Sequence, residues 1–263
     1  MPGYKRIAAG RTAEVYEYPN GQVLKLFFDW CLPDWVEKEL RIARALEQAG
    51  VDAPKVFERV EVDGRRGVLY ERIDGPSMLD TLATRLHRLR AYARTLAHLH
   101  LGMHRAAPAG LPSQRQELYG VIGHAPTLPD ELRQPILATL ADLPDDQRLC
   151  HGDFHPGNIL LASRGPVVID WTTATLGHPA ADVARTRMLL SLGDPPPDPI
   201  LRLLVPLARA MFHRVYLDEY RRHAPEIARL SEAFLPVMVA ARFNENIAPE
   251  REKLLKIVRA RWH

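Results

Sequence analysis

The run His151-Gly152-Asp153-Phe154-His155-Pro156-Gly157-Asn158-Ile159-Leu160-Leu161 constrains this chain more than any other stretch. Its glycines and proline fit neither a helical nor an alternating period, so it reads as a loop that ends where residues 159–161 begin an apolar strand. Ser163-Arg164-Gly165-Pro166 is a turn, and the β-branched residues 167–169 form the returning strand of a short hairpin. That hairpin predicts Asp170 beside Asn158. A carboxylate and an amide oxygen brought together are hard ligands suited to Mg²⁺, which leaves Asp153 on the same loop to act as a base.

Two other readings of these residues stand beside that one. His151, Asp153, His155 and Asp170 are also transition-metal ligand types and would suit a metallohydrolase. Single aspartates also cap turns. The first reading leaves Asn158 and the upstream chain unexplained, and the second accounts for one carboxylate but not for the spacing.

At 263 residues, 46% of them hydrophobic and 25% charged, the chain is long enough for one large domain or two lobes and has an ordinary globular composition. A formal charge of +3, with acidic and basic residues interspersed, argues against a nucleic-acid partner. Cys31 and Cys150 make neither a disulfide framework nor a paired-thiol zinc motif. The first residues lack an apolar signal core, and no run approaches the roughly 18 apolar residues of a membrane span. The expectation is a cytoplasmic protein with no membrane partner.

Residues 4–28 read as three strands. Gly10 separates the first from residues 14–18, and Pro19-Asn20-Gly21 turns the chain into residues 22–28. Alternation puts Val23, Lys25 and Phe27 on one face and Leu24, Leu26 and Phe28 on the other. A lysine among such neighbours is either exposed at a sheet edge or held by a partner. Residues 34–50 read as a helix with an N-cap at Asp34, a capping-box partner at Glu37 and a stop at Gly50. Glu39 falls inside its apolar stripe of Val36, Leu40, Ile42, Ala43, Leu46 and Ala49, while Glu37 points away. Burying a bare carboxylate costs several kcal/mol, so Glu39 needs a partner, and Lys25 is the obvious one. A helix packed differently would leave Glu39 at the surface edge.

Residues 54–71 supply two more strands around Asp63-Gly64, and turn chemistry takes over after Ile73. The boundary is placed there, with residues 1–73 as one lobe and 74–263 as the other. In the second part Ser77 caps a helix, residues 89–103 form a long amphipathic one, residues 113–116 look like a capping box, and residues 130–140 are helical. Helices are also expected over 200–222, 225–245 and 249–262, with a kink at Pro236 and a proline-rich loop at 193–199. His100 and His104 are four apart and read as satisfied core groups before metal ligands. Asp182, just after Pro179, suits a helix N-terminus.

Asp153, Asn158 five residues later and then Asp170 resemble the catalytic-loop and metal-binding pattern of kinases. In its His-Gly-Asp-Phe-His-Pro-Gly-Asn form, with Trp171 after Asp170, the string is similar to that of the aminoglycoside phosphotransferase and choline kinase family of small-molecule kinases. The resemblance covers nearly the whole chain and is most specific over residues 149–182. It implies an α+β, protein-kinase-like two-lobed fold, with a small antiparallel-sheet N-terminal lobe carrying one helix and a larger, mainly helical C-terminal lobe. It also implies ATP or GTP, Mg²⁺, and a small-molecule hydroxyl acceptor of amino-alcohol or aminoglycoside type.

By the same resemblance Asp153 accepts or orients the acceptor hydroxyl, Asn158 and Asp170 hold Mg²⁺, Lys25 pairs the phosphates and Glu39 orients Lys25. Val15 and Val23 form the ceiling over the base, backbone around Glu71 and Ile73 meets the adenine edge, and Asp182 braces the catalytic loop. Gly10 stands where protein kinases use three glycines, which implies a less open cover over the phosphates. Gly152 replaces the catalytic-loop arginine of protein kinases, and residues 172–182 are too few for an activation segment. Both features point away from a phosphorylation switch. Asp194, Asp198, Asp218, Glu219, Glu232 and Glu245 are unranked candidates to receive a cation on the acceptor. The competing reading, a nucleotide-binding regulator without efficient transfer, is favoured by the reduced Gly10 loop and opposed by the intact Asp153, Asn158 and Asp170.

Overall fold

Five antiparallel strands and a helix carry the first part of the chain: β1 (Arg6–Ala9), β2 (Ala13–Tyr18), β3 (Gln22–Phe27), α1 (Pro33–Gln48), β4 (Val56–Val62) and β5 (Arg65–Glu71). There follow α2 (Met78–Thr84), α3 (Leu89–Met103), α4 (Gln114–Gly123), α5 (Asp130–Asp142), β6 (Arg148–Cys150), β7 (Ile159–Ala162), β8 (Gly165–Val168) and β9 (Thr175–Gly177). The chain ends in α6 (Pro179–Ser191), α7 (Pro199–His223), α8 (Pro225–Arg242) and α9 (Arg251–Trp262). The computed structural model describes residues 3–192 and 199–262, so all of the expected loop at 193–199 except Pro199, which opens α7, lies outside the described residues, Asp194 and Asp198 included.

The chain divides into two compact units. The first runs through Met78, past the expected boundary at residue 73, and takes in Pro108–Leu111 and Gly157–Thr172. The second is the remainder and is mostly helical. An antiparallel sheet with one helix, followed by a helical part, is the α+β layout expected from the sequence.

In the first unit the strand order is β1-β2-β3-β5-β4, which makes β3 central. Val15 lies opposite Lys25, and β5 sets Val68 opposite Lys25 and Tyr70 opposite Val23. Directly opposed residues share a face, so Val15, Val23, Lys25, Val68 and Tyr70 line the same side. Ala13, Phe27 and Val68 pack there with Val36 and Leu40 of α1, while Tyr16, Leu24, Leu26 and Leu69 form a second cluster. Lys25 therefore stands in the middle of the sheet, and the edge reading fails.

Helix α1 starts differently from the expectation. Its N-cap is Leu32, which makes no side-chain cap, and Pro33 opens the helix. Asp34 thus lies inside the first turn and the capping box with Glu37 does not form. Proline at the first helical position lacks the N–H that a cap would satisfy, and Asp34 still favours the positive helix end. Glu37 instead pairs at the surface with Arg59, 2.6 Å away. The other end is as expected. Gly50 adopts φ 69°, and the Gly50 and Val51 amides return to the Glu47 and Leu46 carbonyls at 3.0 Å each.

In the second unit Ile122, Leu132, Ile136 and Leu140 from α4 and α5 pack against Ala180, Ala184 and Met188 of α6, Phe234 and Val237 of α8, and Leu254 and Val258 of α9. Ser113 caps α4, accepting from the Gln116 amide at 3.4 Å. Helix α8 continues through Pro236 and stops at Arg242, with Phe243–Glu245 forming a 3₁₀ turn. β6 pairs with β9 in a two-stranded ribbon that fills the short connection before α6. No described helix is long and apolar enough to cross a membrane.

Candidate active site

The β7–β8 hairpin forms in the expected register, Ile159 opposite Val168, and the Ile169 amide donates to the Asn158 carbonyl at 2.9 Å. The ladder thus runs back to Asn158 and brings the chain to Asp170 one residue beyond Ile169. Asp170 adopts φ 60°, a left-handed conformation that costs a non-glycine residue roughly 1–2 kcal/mol. Its Oδ1 accepts from Lys25 Nζ at 3.0 Å and from the Thr172 hydroxyl at 3.3 Å.

Lys25 Nζ also lies 2.9 Å from Oε1 of the buried Glu39, and the Tyr70 hydroxyl donates to the same oxygen at 2.7 Å. Burial pulls the Lys25 ammonium pKa down, but Glu39 and Asp170 outweigh it and hold the pKa above its ordinary value. Burial, reinforced by Glu39, pushes the Tyr70 phenol well above its usual range. A charged triad therefore sits on one face of the sheet, with a neutral phenol fixing the carboxylate from the far side. The donor set at Asn158 and Asp170 is an amide and a carboxylate, and the Asp170 side chain is 45% exposed, so water can complete a hard-cation shell. On donor chemistry the two residues fit Mg²⁺.

The other residues expected on the nucleotide side sit in the same unit. Val15 and Val23 flank Lys25 on its face of the sheet. The Gly10 amide donates to the Ala13 carbonyl at 2.8 Å, so this N–H closes the β1–β2 turn. Glu71 accepts from Arg164 at 3.0 Å and from the Lys55 amide at 3.2 Å, while the Glu71 and Arg72 amides go to the Lys55 and Gly21 carbonyls. Ile73 makes no backbone hydrogen bond among the described residues. Just beyond, Gly75 packs against the chain: a Cβ there would meet the Leu161 carbonyl oxygen at 2.4 Å. The Leu161 amide donates to Pro76 at 2.9 Å, which ties this segment to β7.

The second unit holds Asp153. Its Oδ2 lies 3.5 Å from His155 Nε2, its Oδ1 4.0 Å from Arg185 of α6, and its amide donates to His151 Nδ1 at 3.2 Å. Burial raises the Asp153 pKa, but His155, Arg185 and His151 overcome it and bring the carboxyl down to about 2. Gly152 adopts φ 79° and a Cβ there would lie 2.8 Å from the Thr173 carbonyl oxygen, so any side chain at this position is strained. Arg185 Nε donates to the Gly152 carbonyl at 3.1 Å. A guanidinium from α6 thus stands next to the loop that lacks an arginine of its own.

Asp182 anchors that loop from behind, accepting from the His151 amide at 2.7 Å and the Gly152 amide at 2.8 Å. His100 and His104 Nε2 approach the same carboxylate at 3.1 and 3.3 Å, and their Nδ1 atoms lie 2.7 and 2.8 Å from the Tyr216 and Tyr220 hydroxyls. A carboxylate only accepts, so both imidazoles carry their proton on Nε2 and take the phenol protons on Nδ1. No ring nitrogen is left for a metal. Burial and then His104 push His100 down to about 3, against the pull of Asp182. Burial opposes ionisation of Asp182, yet its hydrogen bonds to the histidines hold it well below the carboxylate range.

Tyr70, Arg185, Tyr216 and Tyr220 join these groups without any mark in the sequence, since each acts through a contact far along the chain. His151 and His155 belong to neither of the two sets of three metal-ligand side chains that converge among the described residues, which counts against a metallohydrolase centre. The four acidic acceptor-site candidates among the described residues are ion-paired: Asp218 with Arg214 and Arg221, Glu219 with Arg222 and His98, Glu232 with Arg187, and Glu245 with Arg185 and Arg242.

Residues 3–226 match the profile of the phosphotransferase enzyme family. Acyl-CoA dehydrogenase family member 11 of Rattus norvegicus is 26% identical over 174 residues, which is 57% of this chain and 22% of that protein, so the chain spans about a fifth of that relative's length. Among solved structures, aminoglycoside-3'-phosphotransferase of type VIII superposes with a TM-score of 0.61 at 18% identity, covering 89% of this chain and 94% of the other. The streptomycin–ATP complex of APH(2")-IIa gives 0.61 at 15% identity, covering 97% and 91%. Choline kinase from Cryptosporidium parvum Iowa II gives 0.56 at 14% identity, covering 98% and 89%. These likenesses show a protein-kinase-like fold. Matched by the family profile over most of its length, the chain belongs to the phosphotransferase enzyme family.

Proposed function

We propose that this phosphotransferase moves the terminal phosphoryl group of ATP or GTP to a hydroxyl of a small molecule, with amino alcohols and aminoglycoside-like compounds as the first acceptors to test. The observation that carries this reading is Lys25 held between Glu39 at 2.9 Å and Asp170 at 3.0 Å. Buried Glu39 keeps the ammonium oriented, while half-exposed Asp170 is the partner that phosphate oxygens displace. The ATP-bound neighbour supports nucleotide use.

Asn158 and Asp170 would hold Mg²⁺, which neutralises charge on the transferred group. Asp153, with its pKa near 2, is an anion throughout the working range. Such a weak base orients the attacking hydroxyl and receives its proton late, as the oxygen becomes acidic on bonding to phosphorus. Arg185 and Asp182 keep the loop in place behind it. An amine-bearing acceptor that used Glu245, Glu232, Glu219 or Asp218 would have to compete with an arginine already paired there.

The regulator reading draws on the Gly10 amide, which is spent on Ala13 and not directed at a ligand. Radiolabelled phosphoryl transfer to a panel of hydroxyl acceptors, for wild type and Asp153→Ala, separates the two. An enzyme loses roughly 10²–10⁴-fold in turnover in the variant with little change in nucleotide affinity. Nucleotide binding with no transfer to any acceptor by the wild type would favour the regulator.

A further inference from the structure

Helices α3 and α7 bring a separate set of donor atoms together within the second unit. His98 Nε2 lies 2.9 Å, and His223 Nε2 3.4 Å, from Oε1 of Glu219. Glu219 and His223 are one turn apart on α7, His98 projects from α3, and the two imidazole rings stand at 87° with centroids 5.4 Å apart. The other carboxylate oxygen, Oε2, is held by Arg222 at 2.6 Å, with Arg94 Nε at 3.7 Å. The carboxylate is therefore divided, with Oε2 given to guanidiniums and Oε1 presented to two imidazoles.

Two imidazoles also converge on one oxygen of Asp182, but those rings are buried and their second nitrogens face tyrosine hydroxyls, whereas His98 and His223 are exposed to solvent and open to an ion. All three donor atoms lie within 4.8 Å of one another. A tetrahedral ion with bonds of ~2.0–2.1 Å requires donors about 3.4 Å apart, and Glu219 Oε1 lies 2.9 and 3.4 Å from the two imidazole nitrogens. The Glu219 side chain is 9% exposed, whereas His98 and His223 are 59% and 50% exposed. The anionic ligand is thus anchored at the base of the site, its orientation fixed by Arg222, and the outward positions stay open to water. Two nitrogens and one oxygen suit a borderline transition ion and not Mg²⁺ or Ca²⁺.

We infer that His98, Glu219 and His223 form a binding site for a divalent transition-metal ion of the zinc type, which ties α3 to α7. The inference does not depend on the phosphotransfer reading. The same two helices supply His100, His104, Tyr216 and Tyr220, the groups stacked behind Asp182.

The test uses the full chain, freed of metal by chelation and titrated with zinc in excess Mg²⁺ against a chromophoric competitor. Wild type binds one zinc ion per chain and its melting temperature rises, while His98→Ala and His223→Ala each lose about tenfold or more in affinity and lose the rise. Zinc-edge X-ray absorption of the wild type shows two imidazole ligands, a readout independent of how the variants fold. Absence of stoichiometric zinc, affinity unchanged in both variants, or a zinc spectrum without imidazoles would overturn the assignment.

Discussion

The Lys25 ammonium bridges two carboxylates of opposite character, the buried Glu39 at 2.9 Å and the half-exposed Asp170 at 3.0 Å. Glu39 cannot turn to water and so remains the permanent partner. Asp170 can, and its left-handed backbone stores strain at the point where a ligand would take over. Lys25→Ala leaves Glu39 buried with only Tyr70 to satisfy it. The expected cost is about 1–3 kcal/mol of stability, discounted from a fully buried pair because Lys25 is 15% exposed, together with a loss of roughly 10²–10³-fold in turnover. Urea unfolding and steady-state kinetics on the same preparations check both.

Tyr70→Phe keeps the ring and removes the 2.7 Å hydrogen bond to Glu39. A hydrogen bond to a charged group contributes about 1.5–3 kcal/mol, and part of it is recovered because Lys25 stays in place, so the expected loss is about 1–2 kcal/mol. Chemical denaturation reads it directly, and an unchanged midpoint would show that Lys25 alone orients the glutamate.

Acid stability reports on the Asp182 cluster. The folded chain refuses a proton at His100 until about pH 3, whereas the unfolded chain takes one up near the ordinary value of 6.5. The unfolded state thus binds more protons between those values, and stability falls as pH is lowered through that window, at up to about 1.4 kcal/mol per pH unit. The lowered pKa of Asp182 adds to the loss below its ordinary 3.8, with the same sign. Unfolding free energies measured across the window should slope downward toward acid, and a flat profile would contradict the neutral, buried state of His100.

Much of this was legible beforehand, for reasons that particular residues make plain. Lys25 stood out as a charge in an apolar strand and Glu39 as a carboxylate in an apolar stripe, and each explains the other. The hairpin from Asn158 to Asp170 is a local feature, and local turn chemistry predicts it well. The start of α1 differs from the expectation because Asp34 and Pro33 both signal a helix start and the proline takes precedence. Arg185 stayed hidden because its partner, the Gly152 carbonyl, is a backbone atom 33 residues away. The β6–β9 ribbon has three residues per strand, too few for an alternation to show.

Gly152→Ala tests how tightly the catalytic loop is drawn. The added methyl meets the Thr173 carbonyl in a backbone conformation that side chains rarely adopt, at φ 79°. A loss of about 1–3 kcal/mol in stability is expected, with a fall in turnover that exceeds any change in nucleotide affinity, because Asp153 is the next residue. At Gly10 a Cβ would meet only the Ala13 carbonyl oxygen, at 3.7 Å, so Gly10→Ala serves as a near-neutral control for folding.

The most direct test of the nucleotide site is a thermal-shift series with Mg·ATP and Mg·GTP on wild type and Asp170→Ala. Saturation at about 100 times the dissociation constant adds roughly 2.7 kcal/mol, which moves the melting temperature of a chain of this size by several degrees. The account predicts a magnesium-dependent rise with at least one nucleotide in the wild type and its loss in the variant. No rise with either nucleotide, or an equal rise in Asp170→Ala, would contradict it.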